Sequence, residues 1–416
     1  MSEKNYLQEK DPALFSVVQA ETDRQNYGLE MIASESMQPR LAREIAGGVF
    51  NNKTAVGRVG YQRLMGSEPS NELEKLAAER ACEIFGADHA NMTTYSGSVS
   101  NFCAYSAVLK AGDTVVAMDP VTGAHQSHGD PRNISSRLYD FHFFGLNPET
   151  LDIDYEGAEK LTKELHPKLI VIGSAAYPRK IDYARLAKIA HDNGALLMAD
   201  IAHFTGLVSA GMAPNPVPHA DIVTGSTTKT MCGPHSGFIM CKAALKDTVE
   251  NSIYPGYVAS LHLQTVAAMA YALERSKTPE FKALMKQIVD NSVYLCEALK
   301  KRGFTIFTGG TDCHMFLLEL HNFGVDGVKF SDVLEEIGIT VNSKGIPFDT
   351  AKVAMGVRMG TTVLTQRGMK EPEMDRMADI LLEAAKGYND PAVLASLKAK
   401  VRAMAEEFPI PEEYAL

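Results

Sequence analysis

Several common signatures are missing from this chain of 416 residues. It has no tryptophan, and its six cysteines are scattered singly, without a CxxC pair or the spacing of metal ligands. Isolated cysteines of this kind are typical of proteins from a reducing compartment. An excess of positive charge is also missing, because the formal net charge is -10. We therefore expect no nucleic-acid partner, since a basic surface is what attracts phosphate backbones.

Long apolar runs are absent as well. No stretch approaches the roughly 20 apolar residues that span a bilayer, and residues 1–15 lack the basic and apolar regions of a signal peptide. We expect a cytoplasmic protein with no membrane partner. The hydrophobic fraction of 45% and the charged fraction of 22% are those of an ordinary globular protein. The length favours one large and one smaller domain.

Three parts of the chain differ in their pattern. Residues 1–30 predict a helical arm, with Asp11-Pro12 as a typical helix start, which either lies on the surface or packs on a partner subunit. Residues 31–280 alternate helices with short apolar strands, which indicates a mostly parallel sheet covered on both faces. Residues 281–416 predict a smaller α+β domain. The individual strands predicted from apolar runs are 91–94, 114–118, 169–172, 195–199, 220–223, 304–307, 314–320, 339–341 and 353–358.

The most informative polar residues follow the predicted strands, where parallel sheets bind their ligands. Lys229 lies among small hydroxyl residues in Ser226-Thr-Thr-Lys-Thr. This setting suits a lysine that forms a Schiff base with a carbonyl cofactor, although a lysine in such a loop is more often a solvated surface residue. Asp200 ends a buried strand. Its carboxylate either pairs with a protonated pyridine nitrogen or caps a helix.

Three further motifs have both a functional and a structural interpretation. Ser96-Gly97-Ser98 opens a helix and is either an anion site or an ordinary N-cap. His125 and His128 lie in a Gly-bounded loop, where an imidazole can stack on a flat ring. No third ligand accompanies this pair, so we expect no metal. Arg358 either binds a substrate carboxylate through its guanidinium or forms a structural salt bridge.

Taken in order, these motifs resemble the serine hydroxymethyltransferase family. The resemblance runs from Met31-Ile-Ala-Ser-Glu35 to Thr365-Gln-Arg-Gly-Met369, and is strongest over residues 200–211, 214–220 and 229–234. It implies an α/β chain of the fold-type I pyridoxal-phosphate-dependent transferases. Such a chain has a large domain with a mostly parallel seven-stranded sheet and a smaller C-terminal α+β domain. It also implies pyridoxal 5'-phosphate as cofactor and a homodimer, or a dimer of dimers, whose active sites are built from both subunits.

The resemblance assigns a role to individual residues. The implied catalytic residues are the Schiff-base lysine, the carboxylate on the ring nitrogen, the stacking histidine and the histidine beside the ring hydroxyl: Lys229, Asp200, His125 and His203. The implied phosphate ligands are Ser96, Gly97 and Ser98, helped by Ser226 or Thr227, with Gly256 from the neighbouring subunit. The implied amino-acid ligands are Ser34, Arg358, Thr54 and Tyr61.

The sequence departs from the family pattern where folate and the second substrate bind. The acid/base glutamate of the family falls on Val56, and a valine cannot transfer a proton. The asparagine that meets the pteridine falls on Phe348. Thr228 replaces the histidine before the lysine, and His235 replaces an arginine. These changes leave the residues assigned to the cofactor ring intact.

Our leading hypothesis is an enzyme that makes or breaks the Cα–Cβ bond of a small β-hydroxy-α-amino acid through a quinonoid, without folate, as an aldolase or transaldolase does. The alternatives are a divergent hydroxymethyltransferase that uses tetrahydrofolate, another pyridoxal-phosphate reaction such as racemisation or transamination, and a non-catalytic cofactor-binding protein. Arg58, Arg63 and His235 suggest a negatively charged second substrate, unless they only form salt bridges.

Overall fold

The computed structural model describes residues 3–415 of the chain, with the side chains of residues 6–415. Residues 1, 2 and 416, which belong to the predicted arm and C-terminal domain, lie outside this range. The helices are α1 Glu3–Lys10, α2 Pro12–Tyr27, α3 Arg40–Ala46, α4 Glu68–Phe85, α5 Gly97–Val108, α6 Ile134–Leu138, α7 Tyr155–Leu165, α8 Tyr183–Asp192, α9 Thr205–Ser209, α10 Lys246–Asn251, α11 Leu263–Ser276, α12 Pro279–Lys301, α13 Gly327–Ile337, α14 Thr362–Gln366, α15 Glu371–Gly387 and α16 Pro391–Glu407. The strands are β1 Leu29–Glu30, β2 His89–Asn91, β3 Thr114–Met118, β4 Asp140–Phe144, β5 Leu169–Gly173, β6 Leu196–Asp200, β7 Ile222–Ser226, β8 Gly237–Cys241, β9 Thr305–Ile306, β10 Met315–Glu319, β11 Ile339–Thr340, β12 Asn342–Lys344 and β13 Gly356–Gly360.

The largest sheet has seven strands in the order β2-β8-β7-β6-β5-β3-β4. Strands β7, β6, β5, β3 and β4 run parallel, whereas β8 is antiparallel to β7 and β2 is antiparallel to β8. Strands β5, β7 and β8 are buried along their whole length, as expected for a sheet that helices cover on both faces. The predicted α/β class with a mostly parallel seven-stranded sheet is confirmed.

Local sequence explains where the connecting helices begin and end. Asp182 caps α8, because its carboxylate accepts a hydrogen bond from the backbone N–H of Arg185 at 2.9 Å. Asp11 caps α2 in the same way, at 3.0 Å from the N–H of Leu14. Helix α4 ends at Gly86, whose φ of 76° is the left-handed conformation that glycine adopts without strain. These caps fix the lengths of the helices that pack on the sheet.

A second, four-stranded sheet has the order β12-β13-β10-β9 and is antiparallel throughout. It belongs to a hydrophobic cluster that is separate from the core around the large sheet and is formed mainly by residues after position 295. Leu29 and Met31 join this second cluster, because β1 pairs with β11. The division of the chain at residues 30 and 280 stays a prediction.

The predicted strand at residues 353–358 is wrong in its bounds, since β13 begins only at Gly356. The carboxylate of Asp349 accepts a hydrogen bond from the N–H of Ala351, and the Asp349 N–H bonds to the carbonyl of Ile346. The chain then bends at Lys352 and Val353, so the extended conformation begins later than predicted.

Candidate functional site

A cavity of about 350 Å³ lies beyond the carboxyl ends of the parallel strands. Strand β6 delivers Asp200 to it, β7 delivers Ser226, and the loop after β7 delivers Lys229. The structure thereby brings together residues from well-separated parts of the chain. The lining residues are Ser34, Glu35, Ser96, Gly97, Ser98, Asn101, His125, Ser174, Asp200, Ala202, His203, Ser226, Thr228, Lys229 and His235.

Asp200 is a buried carboxylate with three hydrogen-bond donors. Its Oδ2 accepts from Asn101 Nδ2 at 2.9 Å and lies 3.1 Å from His128 Nε2, while its Oδ1 accepts from the backbone N–H of Ala202 at 2.8 Å. Burial alone would raise the pKa of Asp200, but the bonds from His128 and Asn101 hold the pKa well below its usual range. The carboxylate is therefore ionised at neutral pH and is suited to holding a proton on a ring nitrogen.

Lys229 is a mostly buried amine in the same cavity. Burial lowers the pKa of its ammonium group and the charge of Arg358 lowers it further, whereas the negative charge of Asp200 opposes both effects. Within residues 6–415, no hydrogen-bond or ion-pair partner of its Nζ is found. A lowered pKa increases the fraction of neutral amine, which is the form that attacks a carbonyl.

The start of α5 supplies backbone donors to the cavity. Ser96 is the N-cap, and its Oγ accepts a hydrogen bond from the N–H of Val99 at 3.3 Å. Gly97 and Ser98 open the helix and line the cavity. Free N–H groups at a helix start, together with the helix dipole, favour an anion such as a phosphate.

The two hydroxyl residues after β7 differ in their surroundings. Ser226 lines the cavity, and its Oγ donates to the carbonyl of Ser236 at 2.8 Å. Thr227 is fully buried and donates to the carbonyl of Pro234 at 2.7 Å, away from the lining. Of this predicted pair, Ser226 alone is among the lining residues, so the position favours Ser226 over Thr227 as a phosphate ligand.

Both predicted cavity histidines are neutral at physiological pH. Burial is the main cause that lowers the pKa of His125 to about 4, and burial with the charges of Lys229 and Arg358 lowers that of His203 well below its usual value. The Nδ1 of His125 accepts the backbone N–H of Ser127 at 3.2 Å. The proton of the neutral His125 ring is therefore on Nε2, which makes that nitrogen a donor.

Arg358 is a mostly buried guanidinium close to the cavity. Its Nε donates to Asn342 Oδ1 at 3.2 Å and its Nη1 to the carbonyl of Ala175, which follows the carboxyl end of β5. Burial lowers the pKa of Arg358 to about 10, so the group stays charged. No carboxylate of residues 6–415 lies within 4.0 Å of it. This leaves the charge available to a ligand, and Ser34 lines the cavity as well.

Besides Thr227 and Arg358, three further predicted residues are not among the lining residues of the cavity within one chain. Thr54 is exposed, Tyr61 is 70% exposed, and Gly256 lies in an irregular segment at 252–257. Tyr61 and Arg58 instead line a second cavity of about 850 Å³, where the guanidinium stacks over the tyrosine ring at 5.0 Å. The resemblance expects such residues to reach the site of a neighbouring subunit, and their roles stay predictions.

The second cavity also contains a buried carboxyl group. Gln62 donates to Glu74 Oε1 at 3.1 Å and so connects the loop at 54–66 to helix α4. Burial and the negative charge of Glu250 raise the pKa of Glu74 to about 7. Its ionisation therefore takes place near neutral pH.

Two functional residues were missed by the sequence interpretation. Asn101 lies one turn into α5, where it bonds to Asp200, to Ser127 and to Thr224, and His128 connects Asp200 to the hydroxyl of Tyr105. The available signal for Asn101 in the sequence was an amide residue directly before the apolar run Phe-Cys-Ala in a predicted helix. The His125 and His128 rings lie 6.2 Å apart at their centroids, and in the described chain no group of three His, Cys, Asp or Glu residues could hold a metal ion.

These residues fit pyridoxal phosphate by their chemistry. The cavity has an amine with a lowered pKa, an ionised carboxylate with all its oxygens bonded, and a helix start for an anion. A nearby guanidinium without a carboxylate partner suits an amino-acid substrate. Between residues 3 and 415, no helix is both long and apolar enough to cross a membrane.

A family model described as serine hydroxymethyltransferase matches residues 7–381 of the 416. Members of this family use pyridoxal 5'-phosphate and have the fold-type I architecture, in agreement with the sheet described above. The predictions of family, fold class, enzymatic nature and cofactor are confirmed. This chain therefore belongs to the serine hydroxymethyltransferase family, whose enzymes make or break the Cα–Cβ bond of amino acids with pyridoxal phosphate.

Proposed function

We propose that this enzyme is an aldolase or transaldolase for small β-hydroxy-α-amino acids and does not require folate. The observation that carries the proposal is Val56, at the position where the family pattern has its acid/base glutamate. A valine can neither transfer a proton nor donate or accept a hydrogen bond. The carboxylates that line the cavity in the described chain are Glu35 and Asp200, and Asp200 is already held by its three donors.

A second residue supports the absence of folate. Phe348 stands where the pattern has the asparagine that meets the pteridine, and its side chain is 52% exposed. Its backbone φ is 67°, a conformation that few non-glycine residues adopt. The side chain of Phe348 offers no hydrogen bond to the polar edge of a pteridine, so Phe348 and Val56 together support a function without folate.

The chemistry supplied by bound pyridoxal phosphate is the withdrawal of the electron pair that remains on Cα when the Cα–Cβ bond breaks. In our proposal Asp200 holds a proton on the ring nitrogen and so favours this withdrawal. Arg358 binds the α-carboxylate of the amino acid and orients it. Lys229, whose pKa is lowered, can deliver the proton that Cα takes up as glycine forms. The neutral His125 presents an Nε2–H donor.

We further propose a homodimer in which the second subunit completes each site. The support is the exposure of Tyr61 and of the apolar side chains on α2, where Leu14, Val17 and Val18 are 49%, 67% and 47% exposed. Mixing a Lys229→Ala chain with a Tyr61→Ala chain tests this, because shared sites would restore part of the activity that each homodimer lacks. A cytoplasmic location stays a prediction.

The test of the function is cleavage of L-threonine and L-serine by the cofactor-loaded enzyme, each with and without tetrahydrofolate. We expect glycine and acetaldehyde from threonine at a rate that folate does not change, and little turnover of serine. Lys229→Ala is the control and should abolish cleavage. Glycine formation from serine that depends on folate would instead identify a hydroxymethyltransferase that tolerates Val56 and Phe348.

A further inference from the structure

A second cation lies beside Arg358 on the small sheet. In the register of β12 and β13, Asn342 is opposite Arg358 and Lys344 is opposite Gly356. Residues two apart on a strand point to the same face, and Asn342 contacts Arg358 through its side chain. Lys344 therefore shares the face of Arg358, as its diagonal neighbour at a Cα distance of roughly 7–8 Å. The space beside its directly opposite residue, Gly356, is occupied by the side chains of Ile346 and Leu317.

Neither cation forms an ion pair with a residue in the described part of the chain. Burial lowers the pKa of Lys344 and the charge of Arg358 lowers it further, whereas the negative charge of Asp119 raises it. Within residues 6–415, neither Lys344 nor Arg358 has a carboxylate within 4.0 Å. Two partly buried like charges side by side are unfavourable. A ligand with two negative groups would neutralise both positive charges.

We propose that Lys344 binds a second anionic group of the reacting molecule, a carboxylate or phosphonate next to the carbon that becomes the aldehyde. The proposal rests on the aldolase function and specifies its substrate. Arg358 takes the α-carboxylate, and Lys344 takes the group on the other side of the breaking bond. Of the basic residues Arg58, Arg63 and His235 that suggest a negatively charged substrate, His235 alone lines the cavity. Lys344 and Arg358 are not lining residues, but Arg358 reaches the carbonyl of Ala175 beyond β5, and Lys344 shares its face of the sheet.

The reaction balances with no further reactant. With 3-hydroxyaspartate, the Cα–Cβ bond breaks, the β-hydroxyl loses its proton as the C=O bond of glyoxylate forms, and Cα takes up one proton to give glycine. With threonine the same step gives acetaldehyde and glycine. The two substrates differ at Cβ in one feature, a carboxylate in place of a methyl group, so their comparison isolates the second charge.

The experiment compares kcat/KM for L-threo-3-hydroxyaspartate and L-threonine in the wild type, Lys344→Met and Lys344→Arg. We expect the wild type to prefer hydroxyaspartate, and the ratio of the two kcat/KM values to fall about 10- to 100-fold in Lys344→Met, the size of one charge-assisted hydrogen bond. Lys344→Arg should retain most of the ratio. Lys352→Met removes an exposed lysine from the same segment and should leave the ratio unchanged. An unchanged ratio in Lys344→Met would overturn the proposal.

A binding measurement separates failure of this proposal from failure of the aldolase function. L-Aspartate has both carboxylates but no β-hydroxyl, so it binds without being cleaved. Its affinity for the cofactor-loaded enzyme, relative to L-alanine, is read from the change in cofactor absorbance. A preference for aspartate that Lys344→Met removes supports the site even if neither hydroxy amino acid is cleaved. Equal affinities in the wild type would contradict it, and competition by 2-amino-3-phosphonopropionate tells whether carboxylate or phosphonate binds better.

Discussion

Asn101 supports the cofactor carboxylate from a helix, and replacing it with leucine is the most informative perturbation. Its Nδ2 donates to Asp200 Oδ2 at 2.9 Å and to Ser127 Oγ at 2.8 Å, and its Oδ1 accepts from Thr224 Oγ1 at 2.6 Å. All four side chains are buried. Asn101→Leu keeps the size of the side chain but removes every one of these bonds.

The expected loss of stability follows from the partners left behind. A hydrogen bond to a charged group contributes about 1.5–3 kcal/mol, and a buried hydroxyl without a partner costs about 1–3 kcal/mol. Asn101→Leu should therefore lower the free energy of unfolding by roughly 3–5 kcal/mol. Thr224→Val is the matched control. It removes the same Thr224–Asn101 bond with little change in volume but leaves Asp200 bonded. Because Asn101 Oδ1 then has no donor, we expect a cost of about 1–3 kcal/mol.

The assay is urea denaturation of the cofactor-free protein at pH 7, followed by titration with pyridoxal phosphate. Because the Asn101 bond holds Asp200 Oδ2 in place, its loss should leave the carboxylate poorly oriented toward the ring nitrogen of the cofactor. The variant should then bind the cofactor at least 10-fold more weakly, whereas Thr224→Val should bind as the wild type does. Equal stability and equal cofactor affinity in the two variants would refute the assigned role of Asn101.

Three further outcomes follow from buried charges and bonds. The pKa of Glu74 is raised to about 7 in the folded protein, compared with about 4.3 in the unfolded chain. The stability that its protonated form contributes is therefore lost as the pH rises through this range. In denaturation curves, Glu74→Gln should stabilise the protein by about 2 kcal/mol more at pH 8 than at pH 5.5. The unfolding free energy of Arg358→Met should lie within about 1 kcal/mol of the wild-type value, because no carboxylate loses its partner. The KM of this variant for the amino acid should rise at least 10-fold. His314 Nε2 bonds to the carbonyl of Ala33 at 3.1 Å, so His314→Phe should free the Ser34 segment and raise KM more than it lowers kcat.

Apolar runs in the sequence predicted the central strands of the large sheet, whereas strands β4, β8 and β12 were not predicted. The expected strand at 114–118 is β3 residue for residue, because its first three residues, Thr-Val-Val, are β-branched and its last four are buried. Strand β4 begins with an aspartate at the sheet edge. Strand β8, Gly-Phe-Ile-Met-Cys, is apolar and buried, but it begins with a glycine and contains a single β-branched residue. Strand β12, Asn-Ser-Lys, has no apolar residue at all. Its extended conformation comes from pairing with β13, which local sequence does not reveal.

In the candidate site, too, some residues could be predicted from the sequence and others could not. Asp200 and Lys229 follow from the rule that ligands bind at the ends of parallel strands. The bonds of Asp200 to Asn101 and His128 join residues 99 and 72 positions apart, so they depend on the tertiary arrangement of α5 and the loop after β3. Nothing in the local sequence shows that His128, and not His125, bonds to Asp200. That difference depends on how the loop after β3 folds against the end of β6.

Lys344 illustrates why the substrate side of the site is the harder half to predict. The cofactor side is built on buried strand ends, where every polar atom of Asp200 has a partner and any change leaves one unpaired. The substrate side includes a three-residue polar strand, where side chains alternate between faces. A lysine at Ser343 would point away from Arg358, whereas one at position 344 points toward the same face. A shift of one position therefore changes the charge offered to the substrate and leaves the cofactor contacts intact.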